Sequence, residues 1–235
     1  MKAKQFVKTL KSYQSDAERE KIARYFHDDE AEDNQIIGVR MKRIFDLAKE
    51  NRELSLDEVE RLLESPYYEA RMGAAAILDF KARLKLSEAE HRELFELYLR
   101  RHDRINNWDL VDRAAGRVIG RFLYEFEVPR DVLYELLESE NVWERRTAIV
   151  STSYFIKKGD LDDTFSIARR LVDDEHELIQ KAVGSWIRHA GKRDEQRLLD
   201  FLDEHAVKMP KPMLNMAIQK LEKERRDHYR KLNRR

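Results

Sequence analysis

Glycine and proline are so scarce in this sequence that they limit its fold more than any other feature. The 235 residues contain seven glycines and four prolines. Barrels and sandwiches need many tight turns, which depend on these two residue types. Their scarcity favours long helices joined by short connections. The chain also has no cysteine, which excludes disulfide scaffolds, cysteine-ligated zinc, iron–sulfur clusters and cysteine nucleophiles.

Helix starts are marked by capping signals. Capping boxes, in which a serine and a glutamate three residues later satisfy free backbone N–H groups, are predicted at Ser15, Ser55 and Ser87. Ser65-Pro66 is typical of an N-cap followed by proline at the first helical position. Apolar residues then recur at helical spacing, which predicts about thirteen helices, with the last loop near 207–211. The β-branched stretch 147–156 has no partner strand, so it is predicted to be a buried helix.

Small residues recur at matching places along the chain, about 33–40 residues apart. They are Ala74/Ala75, Ala114/Ala115, Ala148 and Ala182. This spacing is close to that of helical repeats. We therefore predict an all-α protein, an α-solenoid of HEAT-like helical repeats with about six helix pairs, in a single domain over residues 1–235. Such a solenoid is curved and presents a concave groove that suits an extended partner.

Charge is high but balanced, with 46 basic and 46 acidic residues. The basic C-terminal tail, residues 220–235, holds eight basic and three acidic residues, a net charge of +5. A second basic stretch contains Arg100, Arg101, Arg104, Arg113, Arg117 and Arg121. Either stretch could bind phosphate, or be a solvated surface. No apolar run approaches a membrane span and no signal peptide is evident, so we expect a soluble, cytoplasmic monomer without membrane contact.

The segment 105–120 carries the most informative chemistry. Asn106 or Asn107 can cap a helix, and Asp109 suits its first turn and its dipole. Asp112 lies four residues after Trp108, so the two side chains share a face, and Gly116 follows on that face. An aromatic ring, a carboxylate and a stretch of helix surface without a side chain at Gly116 would then lie together. With Arg113 and Arg117 flanking them, they indicate a functional site. The alternative is a core tryptophan with a surface aspartate paired to arginine.

Two later segments repeat part of this pattern. Trp143 is followed by Arg146, which could hold a phosphate or the aspartate. A solvated arginine on a helix surface is an equally good interpretation. The segment 176–194 again places a glycine inside a helix, beside an aromatic residue and cations.

The sequence resembles the AlkD-type DNA alkylation repair glycosylases, which are built of HEAT-like repeats. The resemblance rests on INNWDLVD at 105–112, VWERRTAIV at 142–150 and IQKAVG at 179–184, together with their order and spacing. It covers most of the chain. It implies hydrolysis of the N-glycosidic bond of cationic alkylated purines, of the 3-methyladenine and 7-methylguanine type, in double-stranded DNA. The family acts without flipping the base into a pocket, unlike most glycosylases.

The resemblance also assigns roles to residues. It implies a catalytic group of Asp112, which stabilises the sugar oxocarbenium ion, with Trp108 packing on the sugar and Arg146 beside the phosphates. It further implies a DNA-facing concave groove, and we expect these residues to contact DNA: Tyr25, Arg40, Arg113, Arg117, Trp143, Lys181, Ser185, Trp186 and Arg188. No cofactor and no metal are expected.

The sequence departs from the family pattern at three positions. The family commonly has tryptophan directly after the IQKAVG glycine, where this chain has Ser185, with Trp186 one residue later. Asn215 and Met216 stand where many relatives have arginine and tyrosine. A non-catalytic HEAT-repeat module that binds DNA or scaffolds proteins is therefore kept as the alternative. His27 lies in an acidic loop with Asp28, Asp29 and Glu30, and this cluster is not expected to bind metal.

Overall fold

The computed structural model describes residues 1–24, 26 and 34–233. In this part of the chain every regular element is a helix, apart from one isolated bridge between Gln35 and Tyr67. The predicted all-α class is confirmed. No helix among the described residues is long and apolar enough to cross a membrane.

The chain divides into two compact units, Met1–Phe122 and Leu123–Arg235. Each has its own set of packed helices. A single domain over residues 1–235 stays a prediction.

The first unit is built around one buried helix. Its helices are α1 Ala3–Ser12, α2 Asp16–Ala23, α3 Met41–Glu50, α4 Leu56–Leu63, α5 Tyr68–Lys81, α6 Glu88–Arg100 and α7 Trp108–Ala115. A π-helical turn at Gly116–Gly120 continues α7 into α8, Arg121–Glu125, and the first unit ends at Phe122 within α8. Helix α5 packs against α1, α3, α4 and α7, and it is buried from Tyr68 to Asp79. Helix α5 therefore holds the start of α7 in place.

The second unit is built around two buried helices. Its helices are α9 Asp131–Leu137, α10 Val142–Lys158, α11 Asp162–Arg170, α12 Glu177–Gly191, α13 Glu195–His205, α14 Lys211–Ala217 and α15 Lys223–Leu232. Helix α12 packs against α10, α11, α13 and α14. The β-branched stretch 147–156 lies within α10 and is almost entirely buried, which confirms its prediction as a buried helix.

The recurring small residues are buried in both units. Ala74 and Ala75 lie on α5, Ala114 and Ala115 on α7, Ala148 on α10 and Ala182 on α12. Small side chains at these places let neighbouring helices approach closely. The sequence pattern therefore identified the interior helices correctly.

Only one of the three predicted capping boxes is formed. Ser87 Oγ accepts from the backbone N–H of Glu90, and the Glu90 carboxylate accepts from the Ser87 N–H at 2.8 Å. Ser15 and Ser55 do stand at N-caps, but neither side chain makes the capping hydrogen bond. The acids of those two boxes instead bind more distant groups. Glu18 accepts from Arg40 Nε at 2.9 Å and Glu58 from the Ala3 N–H at 2.6 Å.

Two further expectations are wrong. Ser65 and Pro66 precede the helix instead of starting it, because α5 begins at Tyr68 and Ser65 Oγ accepts from the Tyr67 N–H at 3.2 Å. The structure also has one more loop than predicted, which lies between Ala217 and Lys223, after the last predicted loop.

The basic C-terminal tail is folded up to the last residues that the structure describes. Tyr229 on α15 is buried, and its hydroxyl donates to Asp203 at 2.7 Å. Asn233 Nδ2 donates to the Ala206 carbonyl at 2.7 Å. The interpretation of this segment as a merely solvated tail is therefore wrong, because α15 contacts α13, and the residue after α15 contacts the residue after α13, within the second unit.

Candidate functional site

Asn107 fixes the start of helix α7. Its Oδ1 accepts from the Asp109 N–H at 3.2 Å, and the side chain is buried. This decides between the two candidate caps, Asn106 and Asn107, in favour of the second. The Asn107 cap therefore fixes the first turn of α7, and Trp108 projects from this turn at the surface of the first unit.

Trp108 and Asp112 both reach the surface from α7. The Trp108 residue is 36% exposed, although large aromatic residues are mostly covered. Asp112 is exposed and lies one helical turn further along. The alternative is therefore wrong about a core tryptophan and correct that the aspartate lies at the surface. An aromatic ring and a carboxylate stand together on an accessible face of the first unit.

Arg113 and Arg117 do not flank that pair. Both contact Asp79, a buried carboxylate on α5, with Arg113 Nη2 at 2.8 Å and Arg117 Nε at 3.5 Å. The Arg113 guanidinium also lies over the Phe45 ring, 4.3 Å from its centroid. Arg113 follows Trp108 by five residues, about 140° around the helix. The two arginines therefore do not flank the pair as predicted, and any phosphate would compete with Asp79 for them.

The other arginines of the predicted basic stretch are also bonded within the first unit. Arg100 and Arg101 bind Glu60 at 2.9 and 3.3 Å. Arg104 donates to the Leu63 carbonyl at 3.2 Å and Arg121 to the Leu84 carbonyl at 3.1 Å. These contacts give the basic stretch a structural role that its composition did not reveal.

Gly116 begins the π-helical turn that follows α7. Turns of this kind are rare and frequently occur at functional sites. The carbonyl of Arg117, inside the turn, lies 3.1 Å from His91 Nε2 on α6. Helix α6 thus supports the turn that terminates the α-helical part of the site.

Asp109 is the site residue that sequence reasoning missed. Its Oδ2 accepts a hydrogen bond from the Tyr68 hydroxyl, and its Oδ1 is buried without a hydrogen-bond partner among the described residues. Burial raises the pKa of Asp109 to about 6; the Tyr68 hydrogen bond opposes this rise, and the nearby charge of Asp112 adds to it. Asp109 lies in the first turn of α7, as predicted, but its carboxylate is largely buried, which the sequence did not indicate.

A cavity of about 280 Å³ adjoins Asp109. Its lining is mostly apolar and aromatic, comes from α2, Phe26, the chain around the start of α3, α5 and the start of α7, and includes Trp108. Tyr68 and Asp109 are 41 residues apart, so no local pattern could have predicted their contact.

The pH dependence of stability should distinguish burial from a helix-dipole role for Asp109. A pKa raised from 3.8 to about 6 means that ionisation opposes folding at neutral pH, by on the order of 3 kcal/mol. This penalty disappears as the pH falls through about 6 towards 4. We expect Asp109→Asn to gain about that much stability relative to wild type between pH 4 and pH 8, measured by urea unfolding. If the carboxylate instead stabilises the helix through the dipole, the opposite is expected. The variant would then lose stability relative to wild type as the pH rises.

Arg146 is buried at the start of α10. Only 7% of the residue is exposed, and Nη1 donates to the Leu178 carbonyl at 2.7 Å. The interpretation as a solvated surface arginine is therefore wrong. Trp143, one turn earlier, is half-buried, with its ring centroid 6.5 Å from that of His176.

The predicted DNA-contact residues of α12 lie close together. Ser185 Oγ accepts from Arg188 Nη2 at 3.1 Å, and Arg188 also binds Gln219. The Trp186 ring is half-buried, with its centroid 5.1 Å from that of His189. Lys181 is exposed and pairs with Glu177 at 2.7 Å.

Gly184 is explained by packing and not by a ligand. A Cβ at this position would lie 2.3 Å from the Met213 carbonyl oxygen, so only glycine lets α12 and α14 approach this closely. The in-helix glycine of the segment 176–194 therefore marks a helix contact.

The remaining predicted residues are placed as follows. Arg40 is exposed and pairs with Glu18. Tyr25 and the acidic loop at 27–30 lie outside the described residues. Among the described residues, no cluster of three or more His, Asp or Glu side chains could hold a metal ion.

The comparisons with known proteins decide the family. A family model described as DNA alkylation repair enzyme matches residues 6–221, nearly the whole chain. The chain belongs to the DNA alkylation repair enzyme family. Membership gives it a role in alkylation repair, as an enzyme of that family with DNA as its partner.

Structural comparison supports the fold of this family member. A predicted DNA alkylation repair enzyme from Enterococcus faecalis matches with a TM-score of 0.69 and 17% identity, over 89% of this chain and 97% of that one. At this identity the likeness concerns the fold alone, and it confirms the α-solenoid class. No curated protein matches the sequence.

Proposed function

We propose that this family member is a DNA glycosylase that hydrolyses the N-glycosidic bond of cationic alkylated purines in duplex DNA, without base flipping. The observation that carries the proposal is the exposed pair Trp108 and Asp112 on one face of α7. A macromolecular substrate can reach both side chains at the surface. A small-molecule enzyme would be expected to enclose its catalytic carboxylate in a pocket.

The chemistry needs little beyond this pair. A cationic purine is already a good leaving group, so no strong general acid is required. As the bond breaks, positive charge develops on the sugar, and the Asp112 carboxylate stabilises that charge electrostatically. Trp108 offers a broad apolar surface on which the sugar can pack, which holds the reacting carbon near the carboxylate. The base leaves as a neutral molecule with the electrons of the broken bond, water then adds to the sugar cation, and the proton that the water loses passes to solvent.

The DNA backbone is assigned to residues of both units. Arg146 takes a phosphate in this proposal, and the carbonyl of Leu178 fixes the orientation of its guanidinium group. Arg40 and Lys181 are exposed, and each sits in a surface ion pair of the kind that contributes about 0–1 kcal/mol. A phosphate can therefore displace Glu18 or Glu177 from them at little cost.

Most of the other proposed DNA contacts are half-buried or already paired. Trp143, Ser185, Trp186 and Arg188 are half-buried and retain some accessible surface. Tyr25 is assigned from the resemblance alone. Arg113 and Arg117 would have to leave Asp79 or share it with a phosphate, so we expect their contribution to be the smallest.

Base release tests the proposal. Duplex DNA treated with a methylating agent is incubated with the wild-type protein, and the supernatant is analysed for free bases by mass spectrometry. We expect 7-methylguanine and 3-methyladenine to appear, with abasic sites left in the strand. Binding of this DNA without any release would favour the alternative, a non-catalytic HEAT-repeat module that binds DNA. Neither binding nor release would favour a protein scaffold.

A further inference from the structure

We propose that the cavity behind Trp108 is a binding site for a flat organic cation, with the Asp109 carboxylate as its counter-ion. This site adjoins the exposed pair, with which it shares Trp108, and ligand binding there does not require excision activity. It lies entirely within the first unit, between α2, α5 and the start of α7.

The walls of the cavity suit a flat ring. Its apolar and aromatic lining consists of Ile22, Phe26, Val39, Met41, Tyr68 and Trp108. The rings of Phe26 and Tyr68 meet edge to face, with centroids 5.0 Å apart and planes at 77°. Aromatic rings attract cations through the negative charge of their faces, and more strongly when the cation is desolvated. The lining therefore favours an aromatic ligand and tolerates a positive charge on it.

One polar atom gives the cavity its selectivity. Asp109 Oδ1 is buried and has no hydrogen-bond partner among the described residues, whereas Oδ2 is taken by the Tyr68 hydroxyl. Buried polar atoms in folded proteins nearly always have a partner. An unused carboxylate oxygen beside an apolar cavity accepts from an N–H group or faces a positive charge. A neutral hydrocarbon would leave it unsatisfied.

The charges around the cavity favour a cation overall. Glu18 and Lys21 of α2 stand at its rim, and Glu18 is paired with Arg40. Lys21 is exposed to solvent, where its repulsion of a bound cation is screened. Asp112, on the next turn of α7, acts on Asp109 strongly enough to raise its pKa, so its negative charge also reaches this region.

Size and polarity exclude a simple water site. An apolar cavity of about 150 Å³ accepts benzene, so 280 Å³ has room for a bicyclic ring. A buried water needs two to four polar partners to be well held. Because most of the described lining is apolar, water would be poorly bound and readily displaced by an apolar cation.

The test compares two ligands of the same shape. The full-length protein is titrated with N-methylquinolinium and with methylnaphthalene, its uncharged counterpart, and binding is followed by tryptophan fluorescence and by calorimetry. We expect the cation to bind at least tenfold more tightly. Asp109→Asn should abolish that preference while methylnaphthalene still binds. Asp57→Asn, which changes an exposed first-turn carboxylate of α4, should leave both affinities unchanged.

A second variant keeps the test decisive if Asp109→Asn does not fold. Ile22→Trp fills the cavity from α2, where Ile22 is only half-buried, and it should abolish the binding of both ligands. The proposal is overturned if neither ligand binds, if both bind equally, or if Asp109→Asn retains the preference for the cation. Because no step involves DNA, these outcomes are independent of whether the protein excises bases.

Discussion

Replacing Asp112 with asparagine is expected to slow excision of 7-methylguanine from duplex DNA by about a hundred- to a thousandfold. Asparagine keeps the size and shape of the side chain and removes only the charge that stabilises the sugar cation. Preorganised groups of this kind typically contribute about 2.7–4 kcal/mol to the transition state. The measurement is a single-turnover time course with enzyme in excess. Because Asp112 is exposed, the melting temperature should not change by more than a degree or two.

Asp57→Asn is the matched control for this experiment. Asp57 is also an exposed aspartate on a helix of the first unit, and it lies outside the proposed site. We expect it to excise at the wild-type rate. DNA binding by Asp112→Asn should be unchanged or slightly tighter, since a negative charge near the phosphates is gone. Equal excision by wild type and Asp112→Asn would remove the carboxylate from the mechanism.

Glu69→Gln is expected to cost about 3–5 kcal/mol of folding free energy. The Glu69 carboxylate is fully buried and accepts three backbone N–H groups, from Ile37 at 2.9 Å, Gly38 at 2.7 Å and Val39 at 3.2 Å. An amide would point N–H donors at N–H donors, which leaves buried groups unpaired. Gly38 has a φ of +95°, so this segment depends on outside support to hold its conformation. Urea unfolding measures the loss.

Glu96→Gln is the control, because Glu96 is exposed on α6 and the same substitution there should change stability by less than about 0.5 kcal/mol. The Glu69 variant should also weaken ligand binding in the cavity, since Val39 forms part of its wall. A Glu69→Gln protein as stable as wild type would show that the three hydrogen bonds are not needed to hold the segment.

The exposed pair could be predicted from sequence because it depends only on helix geometry. Trp108 and Asp112 are four residues apart, so they share a face in any helix that begins near Asn107. The buried small residues were found for the same reason, since they follow a period along the chain. Local spacing is enough for features of this kind.

The sequence did not reveal the contacts between residues that are far apart along the chain. Tyr68 lies 41 positions from Asp109 in the sequence, yet its hydroxyl donates to the carboxylate of this first-turn residue, one oxygen of which is buried. Asp79 draws Arg113 and Arg117 away from the site because α5 packs against α7. Composition marked these arginines as basic, but only the packing shows that they are already paired.

The most direct test of the central account compares two damaged bases in otherwise identical duplexes. One duplex carries a single 7-methylguanine, whose ring is cationic, and the other a single O6-methylguanine, whose ring is neutral. If the Asp112 carboxylate stabilises the sugar cation and the charged base leaves without a general acid, wild-type protein in excess should release the first base and not the second. Release of both at similar rates, or of neither, would contradict the account.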